Sequence, residues 1–318
     1  MDSTRGQYFH VISRVVDKRF IFEDREKEVF RRMMRDYEGF TGVEVLSFCL
    51  MSNHFHMLVY VPRRPDTIPE TEVLRRMSCL YKKDQMEEFR EYLKELETEE
   101  TKRLREDFLD RFRGRMYHLS HFVRELKLRF SKYYNFRTER KGTLWEERFR
   151  CSLIEGHANA LMNTAAYIEL NPVRAGLVGD PKDYRWCSYT EALSGNRAAR
   201  QGIISLASGE NIAVPYKEAI KRYRDFFIYK SRTQTGSRKG MDPETGGELL
   251  EGGQHLSTAD VTKVKVRFFV DGVVLGSREF VEDWYNRNRE HLSKKRRRIS
   301  NRVPLDQMDG IHSYRRVE

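Results

Sequence analysis

Two histidines flank one phenylalanine at His54-Phe55-His56, inside a β-branched, aromatic and aliphatic run from Val43 to Val61. On a strand, residues i and i+2 leave the same face, so this spacing predicts two imidazoles pointing one way and Phe55 entering the opposite layer. Two such imidazoles are half of a metal site. Further along, Tyr167-Ile168-Glu169-Leu170-Asn171-Pro172 sets a phenol and an amide four residues apart at the end of a predicted helix, and i, i+4 residues share a helix face. Together the two pieces can supply three metal ligands and a nucleophile, a set suited to cleavage rather than packing.

The elements that must position these groups follow from periodicity and turn chemistry. Tyr8 to Val16 predicts a first strand and Asp24 to Tyr37 an amphipathic helix with Val29, Phe30, Met33 and Met34 on one stripe. Val43 to Leu50 and His54 to Val61 predict two strands joined by Met51-Ser52-Asn53. Pro62 to Pro69 is an exit loop, and Glu70 to Arg115 reads as a charged, mostly helical inserted arm. Leu119 to Asn135 predicts a basic amphipathic helix with Phe122, Leu126, Phe130 and Tyr133 along one stripe. Trp145 to Ile154 is extended, and Ala158 to Asn171 is a helix ended by Pro172. The whole reads as an α+β sandwich around an antiparallel sheet.

After Gly195 the character changes. Pro215 to Tyr229 is helical, and Thr233 to Gly253 has linker composition. A small α/β unit follows, with alternation over Val264 to Phe268, a hairpin signal at Asp271-Gly272, Ser277 capping a helix Arg278 to Leu292, and a basic run Lys294 to Arg298. The expected division is therefore 1–195 with an insertion at about 62–117, then 196–256 as helix and linker, then 257–318 as a basic accessory unit. No internal repeat is present.

The 318 residues carry 59 Lys and Arg against 48 Asp and Glu, a formal net charge of +11 that favours a polyanionic partner, most commonly nucleic acid. The excess concentrates between Tyr117 and Arg150. The expected contact surface is Arg124, Lys127, Arg129 and Lys132 on the basic helix, continued by Arg137, Arg140, Lys141, Arg148 and Arg150. Among the interleaved aromatics, Trp145 can stack unpaired bases, although a core role suits it as well. Cys49, Cys79, Cys151 and Cys187 form no C-x-x-C pair, which argues against zinc ribbons and for buried free thiols in a reducing compartment. No apolar stretch is long enough to span a bilayer and no secretory segment opens the chain, so the expected location is cytoplasmic.

Four ordered motifs carry a resemblance. They are Leu50-Met51-Ser52-Asn53-His54-Phe55-His56, Gly142-Thr143-Leu144-Trp145-Glu146-Glu147-Arg148-Phe149, Tyr167 to Gly176, and Tyr184-Arg185-Trp186-Cys187-Ser188-Tyr189. Over about Tyr8 to Leu193 the chain resembles the REP-associated tyrosine transposases, a branch of the single-tyrosine HUH transposases. The resemblance implies a ferredoxin-like or RRM-like βαββαβ-derived antiparallel sheet with helices on its faces, the HUH endonuclease fold. It implies a metal-dependent endonuclease and strand transferase acting on single-stranded or hairpin DNA, associated with the nucleoid. His54 and His56 match the histidine ligands, Tyr167 the nucleophile, and Asn171 the third ligand. Mg2+ or Mn2+ is the cation so implied, since ligand softness alone would also allow zinc. Ser52 stands where proline is usual and Cys187 where serine is usual. Whether the chain works as a homodimer or a monomer stays open.

The chemistry explains the residue types. A phosphodiester repels nucleophiles, and a bound cation offsets that charge and orients the group for in-line attack. A tyrosine ester preserves the bond energy for resealing, which hydrolysis would discard. Two other readings use the same residues: a silent or regulatory single-stranded nucleic-acid binder on the same fold, and a structural-zinc protein, for which Cys49 and Cys79 lack paired spacing. Asn171 before Pro172 also suits a plain helix end.

Overall fold

The computed structural model describes residues 6–208, 214–233, 272–291, 301–302 and 311–315. The segment Val264 to Phe268, the linker beyond Thr233, Asp271 of the expected hairpin and the Lys294 to Arg298 run lie outside the described residues.

Strands β1 (Gln7–Arg14), β2 (Glu44–Leu50), β3 (His54–Val61) and β4 (Arg150–Ile154) form an antiparallel sheet in the order β2-β3-β1-β4. With α1 (Asp24–Thr41) between β1 and β2, and α5 (Leu119–Arg137) between β3 and β4, this is the βαββαβ arrangement expected from the motifs. The sheet's two faces differ. On one, Phe55 meets Phe30 of α1 and Trp145 at ring-centroid distances of 4.9 and 5.7 Å, and Phe130 of α5 closes the aromatic cluster on Phe22 and Phe30. Helix α1 ends at Gly42, whose φ of 73° is the left-handed conformation that a side chain would resist.

The inserted arm is three helices, α2 (Glu70–Met77), α3 (Lys83–Glu95) and α4 (Lys102–Arg113). Its apolar signal is sparse but sufficient: Val73, Met77, Met86, Leu93, Leu109 and Phe112 are buried and join the main core.

The opposite face of the sheet is covered by α6 (Ala158–Glu169), the short α7 (Asn171–Arg174), α8 (Ser188–Leu193), α9 (Arg197–Ala207) and α10 (Tyr216–Thr233). Gly202 lets α9 lie directly on β2, because a Cβ there would come within 2.5 Å of the Leu46 carbonyl oxygen. The layer therefore runs past the boundary expected at 195, which falls between α8 and α9. The terminal unit also joins the core. Strand β5 (Gly272–Gly276) pairs parallel with β4, and β7 (His312–Arg315) and β6 (Asn301–Arg302) continue the sheet outward in the order β5-β7-β6. Ser277 caps α11 (Arg278–Asn288) by accepting from the Phe280 N–H, and Glu155 accepts from the Ser277 N–H and hydroxyl. Of the four cysteines only Cys49 and Cys187 are buried; Cys79 is half-buried and Cys151 exposed, since Cys151 lies near the start of β4 where β5 does not pair.

Candidate active site

The alternation of β3 sends His54 and His56 to the face opposite Phe55, with ring centroids 5.0 Å apart. Their cross-strand neighbours on β1 are Arg14 and Ile12, so His10, Ile12 and Arg14 share that face. His10 is a third imidazole: its Nε2 lies 3.1 Å from His56 Nδ1. At the other ring, His54 Nδ1 lies 2.7 Å from Asn53 Oδ1, while Asn53 Nδ2 donates to the Lys18 carbonyl at 3.0 Å.

Helix α6 delivers Tyr167 onto this cluster. Its ring stands edge-on to His56 at 5.7 Å and to His10 at 5.8 Å. Arg174, from α7, places its guanidinium carbon 4.5 Å from the Tyr167 ring centroid and donates from Nη1 to the Tyr167 carbonyl at 2.9 Å. Asn171 donates through Nδ2 to the carbonyls of Tyr167 and Ile168, at 3.0 and 3.2 Å. These are end-of-helix carbonyls that lack partners within α6, so the nitrogen fills the helix-end role and Oδ1 takes no part in it. Tyr167 and His56 are each 2% exposed and His10 1%.

Burial sets the electrostatics. It holds His54 down at about 4, with Arg14 adding to the effect, and pushes His56 well below the usual imidazole range, helped by His54, His10, Arg174 and Arg14. Both rings are neutral near pH 7 and carry a lone pair. Burial lowers Arg174 to about 10, against the opposing influence of Tyr167, so it remains a cation beside the phenol. Behind the tyrosine, burial raises Glu169 to about 7, although Ser188, Ser47, Tyr189 and Tyr223 donate to its carboxylate.

Neutral imidazoles anchored through Nδ1 fit a divalent cation held through Nε2. Among the described residues no group of three His, Cys, Asp or Glu side chains is placed to hold a metal ion, so a third protein ligand would be an oxygen donor of another type, such as an amide. Asn171 is one. Asn163 is another amide, one helical turn before Tyr167, buried with an Oδ1 that has no hydrogen-bond partner. The sequence reasoning missed His10, Arg14, Asn163 and Arg174. The period-two spacing of His10 and Arg14 on β1, and the i−4 spacing of Asn163 from Tyr167, are the signals that mark two of these elements.

The expected basic surface is not on this face. Arg124, Lys127, Arg129 and Lys132 ride on α5, which packs on the Phe55 side. Lys127 is buried there, with its ammonium donating to the Glu147 and Arg148 carbonyls and standing 5.0 Å from the Trp145 ring centroid, so it does not reach the surface as expected. Trp145 is buried too, its Nε1 donating to Ser131 Oγ and the Lys127 carbonyl. Arg129 stacks on Tyr37, Arg137 pairs with Glu26, and Arg140 donates to Asn135. Arg124, Lys132, Lys141, Arg148 and Arg150 are exposed, Arg150 pairing with Glu147. A groove of about 840 Å³ runs between α5 and the 142–149 segment, with Arg124, Lys132 and Arg148 beside Leu128 and Phe149. That segment passes the end of the sheet carrying Arg14 and His54, where the Val16 N–H donates to the Leu144 carbonyl and the Glu146 N–H to the Arg14 carbonyl.

The family model described as "Transposase IS200 like" matches residues 3–99. Over that segment, which contains the histidine pair, the chain is similar to the IS200-like transposase family. Tyr167 lies beyond the matched residues. A solved structure described as a REP-associated tyrosine transposase bound to a REP hairpin is 12% identical, with a TM-score of 0.35, covering 60% of this chain and 81% of that one. No curated protein matches the chain. Among the described residues, no helix is long and apolar enough to cross a membrane.

Proposed function

We propose that the protein is a metal-dependent single-stranded DNA endonuclease and strand transferase that cleaves hairpin-forming repeats through Tyr167. The observation that carries this reading is the 5.7 Å approach of Tyr167 to His56 on the face where His54 and His56 point together. A Mg2+ or Mn2+ ion held by His54, His56 and Asn171 would offset the charge of the scissile phosphate. Tyr167, with Arg174 favouring its phenolate, attacks phosphorus after giving its proton to water; the tyrosyl ester forms, and the bond to the 3′ oxygen breaks, that oxygen taking a proton back from water to leave as a hydroxyl. Arg14 stands beside His54 in position to meet a phosphate of the bound strand. The groove on the α5 side offers cations to the rest of the DNA, away from the cleaved bond.

A second reading, a nucleic-acid binder that does not cleave, is favoured by one observation: at 2% exposure the Tyr167 ring is closed to substrate. Cleavage therefore requires α6, or the Arg174 segment after it, to open as DNA binds. Incubating an end-labelled single-stranded hairpin with the protein and Mn2+ separates the two. A denaturant-resistant protein–DNA adduct that disappears in Tyr167→Phe supports cleavage. Hairpin binding without any adduct supports the binder.

A further inference from the structure

We infer that His10 is a positioning residue that locks His56 in the tautomer carrying its proton on Nδ1, so that the Nε2 lone pair faces the cation site. This rests on the metal reading above and deepens it, by assigning a residue that none of the four motifs contains.

One proton lies between His10 Nε2 and His56 Nδ1, which are 3.1 Å apart and buried from water. If His10 donates, His56 is protonated on Nε2 and cannot ligate. If His56 donates, its Nε2 keeps the lone pair. The neighbouring ring shows which arrangement suits a shared cation. Asn53 donates its Nδ2 to the Lys18 carbonyl, so its Oδ1 accepts from His54 Nδ1–H, and His54 is left with an Nε2 lone pair. Only the Nδ1–H form of His56 gives two like lone pairs to one ion. His10 then takes the part that Asn53 takes for His54, accepting at Nε2 and carrying its own proton on Nδ1. A ligand role for His10 itself is disfavoured, because among the described residues no group of three His, Cys, Asp or Glu side chains is placed to hold a metal ion. The same ring lies nearly coplanar with His56, 15° between planes, as a ring-to-ring hydrogen bond requires, and meets Tyr167 edge-on, so one side chain touches both the ligand and the nucleophile of the proposed site.

The test uses the full chain without metal, 15N-labelled at histidine. Imidazole NMR, assigned with a His56→Ala sample, reads the tautomer directly, and calorimetry reads Mn2+ binding. In the wild type His56 is expected as the Nδ1–H form. His10→Gln, whose side-chain oxygen accepts the same proton, keeps that form and its Mn2+ affinity. His10→Phe mixes the tautomers and weakens Mn2+ binding about 10- to 100-fold, as loss of an outer-shell partner does. Finding His56 protonated on Nε2 in the wild type overturns the inference without any variant, as does an unchanged tautomer and affinity in His10→Phe. If the tautomer follows His10 but the wild type binds no Mn2+, the metal reading fails and the lock stands.

Discussion

The guanidinium of Arg174 sits over the ring of Tyr167, its central carbon 4.5 Å from the ring centroid and its Nη1 donating to the Tyr167 carbonyl. A fixed cation at that distance favours the phenolate over the phenol. Arg174→Met is expected to move the pH of half-maximal adduct formation upward by about one unit, which is about a tenfold slower reaction at neutral pH. Arg174→Lys keeps the charge but not the planar stack and falls between the two. A pH–rate profile unchanged in Arg174→Met would remove the guanidinium from the chemistry.

Glu169 predicts a pH dependence of stability. Its folded value of about 7 exceeds the ordinary 4.5 because burial disfavours the carboxylate. The sign follows from linkage: the contribution is fully present below 4.5 and is lost as pH rises through 7, by about 3 kcal/mol in all. In Glu169→Gln the amide oxygen can still accept from the Tyr189 N–H while the surrounding hydroxyls turn to accept from its nitrogen. Urea unfolding between pH 4 and 8 should therefore show the variant gaining on the wild type as pH rises. Parallel curves would show that Glu169 does not titrate in this window.

Gly202 predicts a packing defect. A Cβ 2.5 Å from the Leu46 carbonyl oxygen cannot be absorbed by a flexible side chain, because the obstacle is backbone. Gly202→Ala is expected to lower stability by about 1–3 kcal/mol, the usual range for overpacking, and to loosen α9 from β2. Thermal melts and amide exchange along Glu44–Leu50 check this.

The basic helix predicts unequal salt effects. Arg124 and Lys132 are exposed along the α5 groove, whereas Lys127 is buried on two carbonyls. Each phosphate contact removed lowers the slope of log affinity against log salt by about one. Removing Arg124 and Lys132 together should reduce the slope for hairpin DNA by about two, and Lys127→Met should leave it unchanged while lowering the melting temperature. The reverse pattern would place the DNA elsewhere.

Much of the architecture was legible in local pattern. The strand spans around His54 and His56, the start of α6 at Ala158 and the Ser277 cap each follow from period-two or period-3.6 spacing and a turn or cap residue. The helix expected to reach Asn171 stops at Glu169 instead, because Pro172 sits in the first turn of α7, where its missing N–H is not needed, and does not act as the stop. The depth of Lys127 was not, because a lysine on a basic stripe reads as solvated until the 142–149 segment folds over it. Nor was the place of α9 and β5: their partners on β2 and β4 are distant in sequence, and nothing local marks a helix or strand as part of the same sheet assembly.

Residue order alone determined which side chains could do chemistry: the alternation of β3 obliges His54 and His56 to share a face, and the four-residue separation keeps Asn171 within reach of the Tyr167 carbonyl across the α6–α7 junction. Tertiary structure alone decided that Tyr167 meets those imidazoles, that His10 and Arg174 enclose it, and that the cations of α5 fall on the other side of the sheet. The physical reason is that periodicity fixes direction within one element, whereas the meeting of β1, β3 and α6 depends on long-range burial and strand pairing that no single segment encodes.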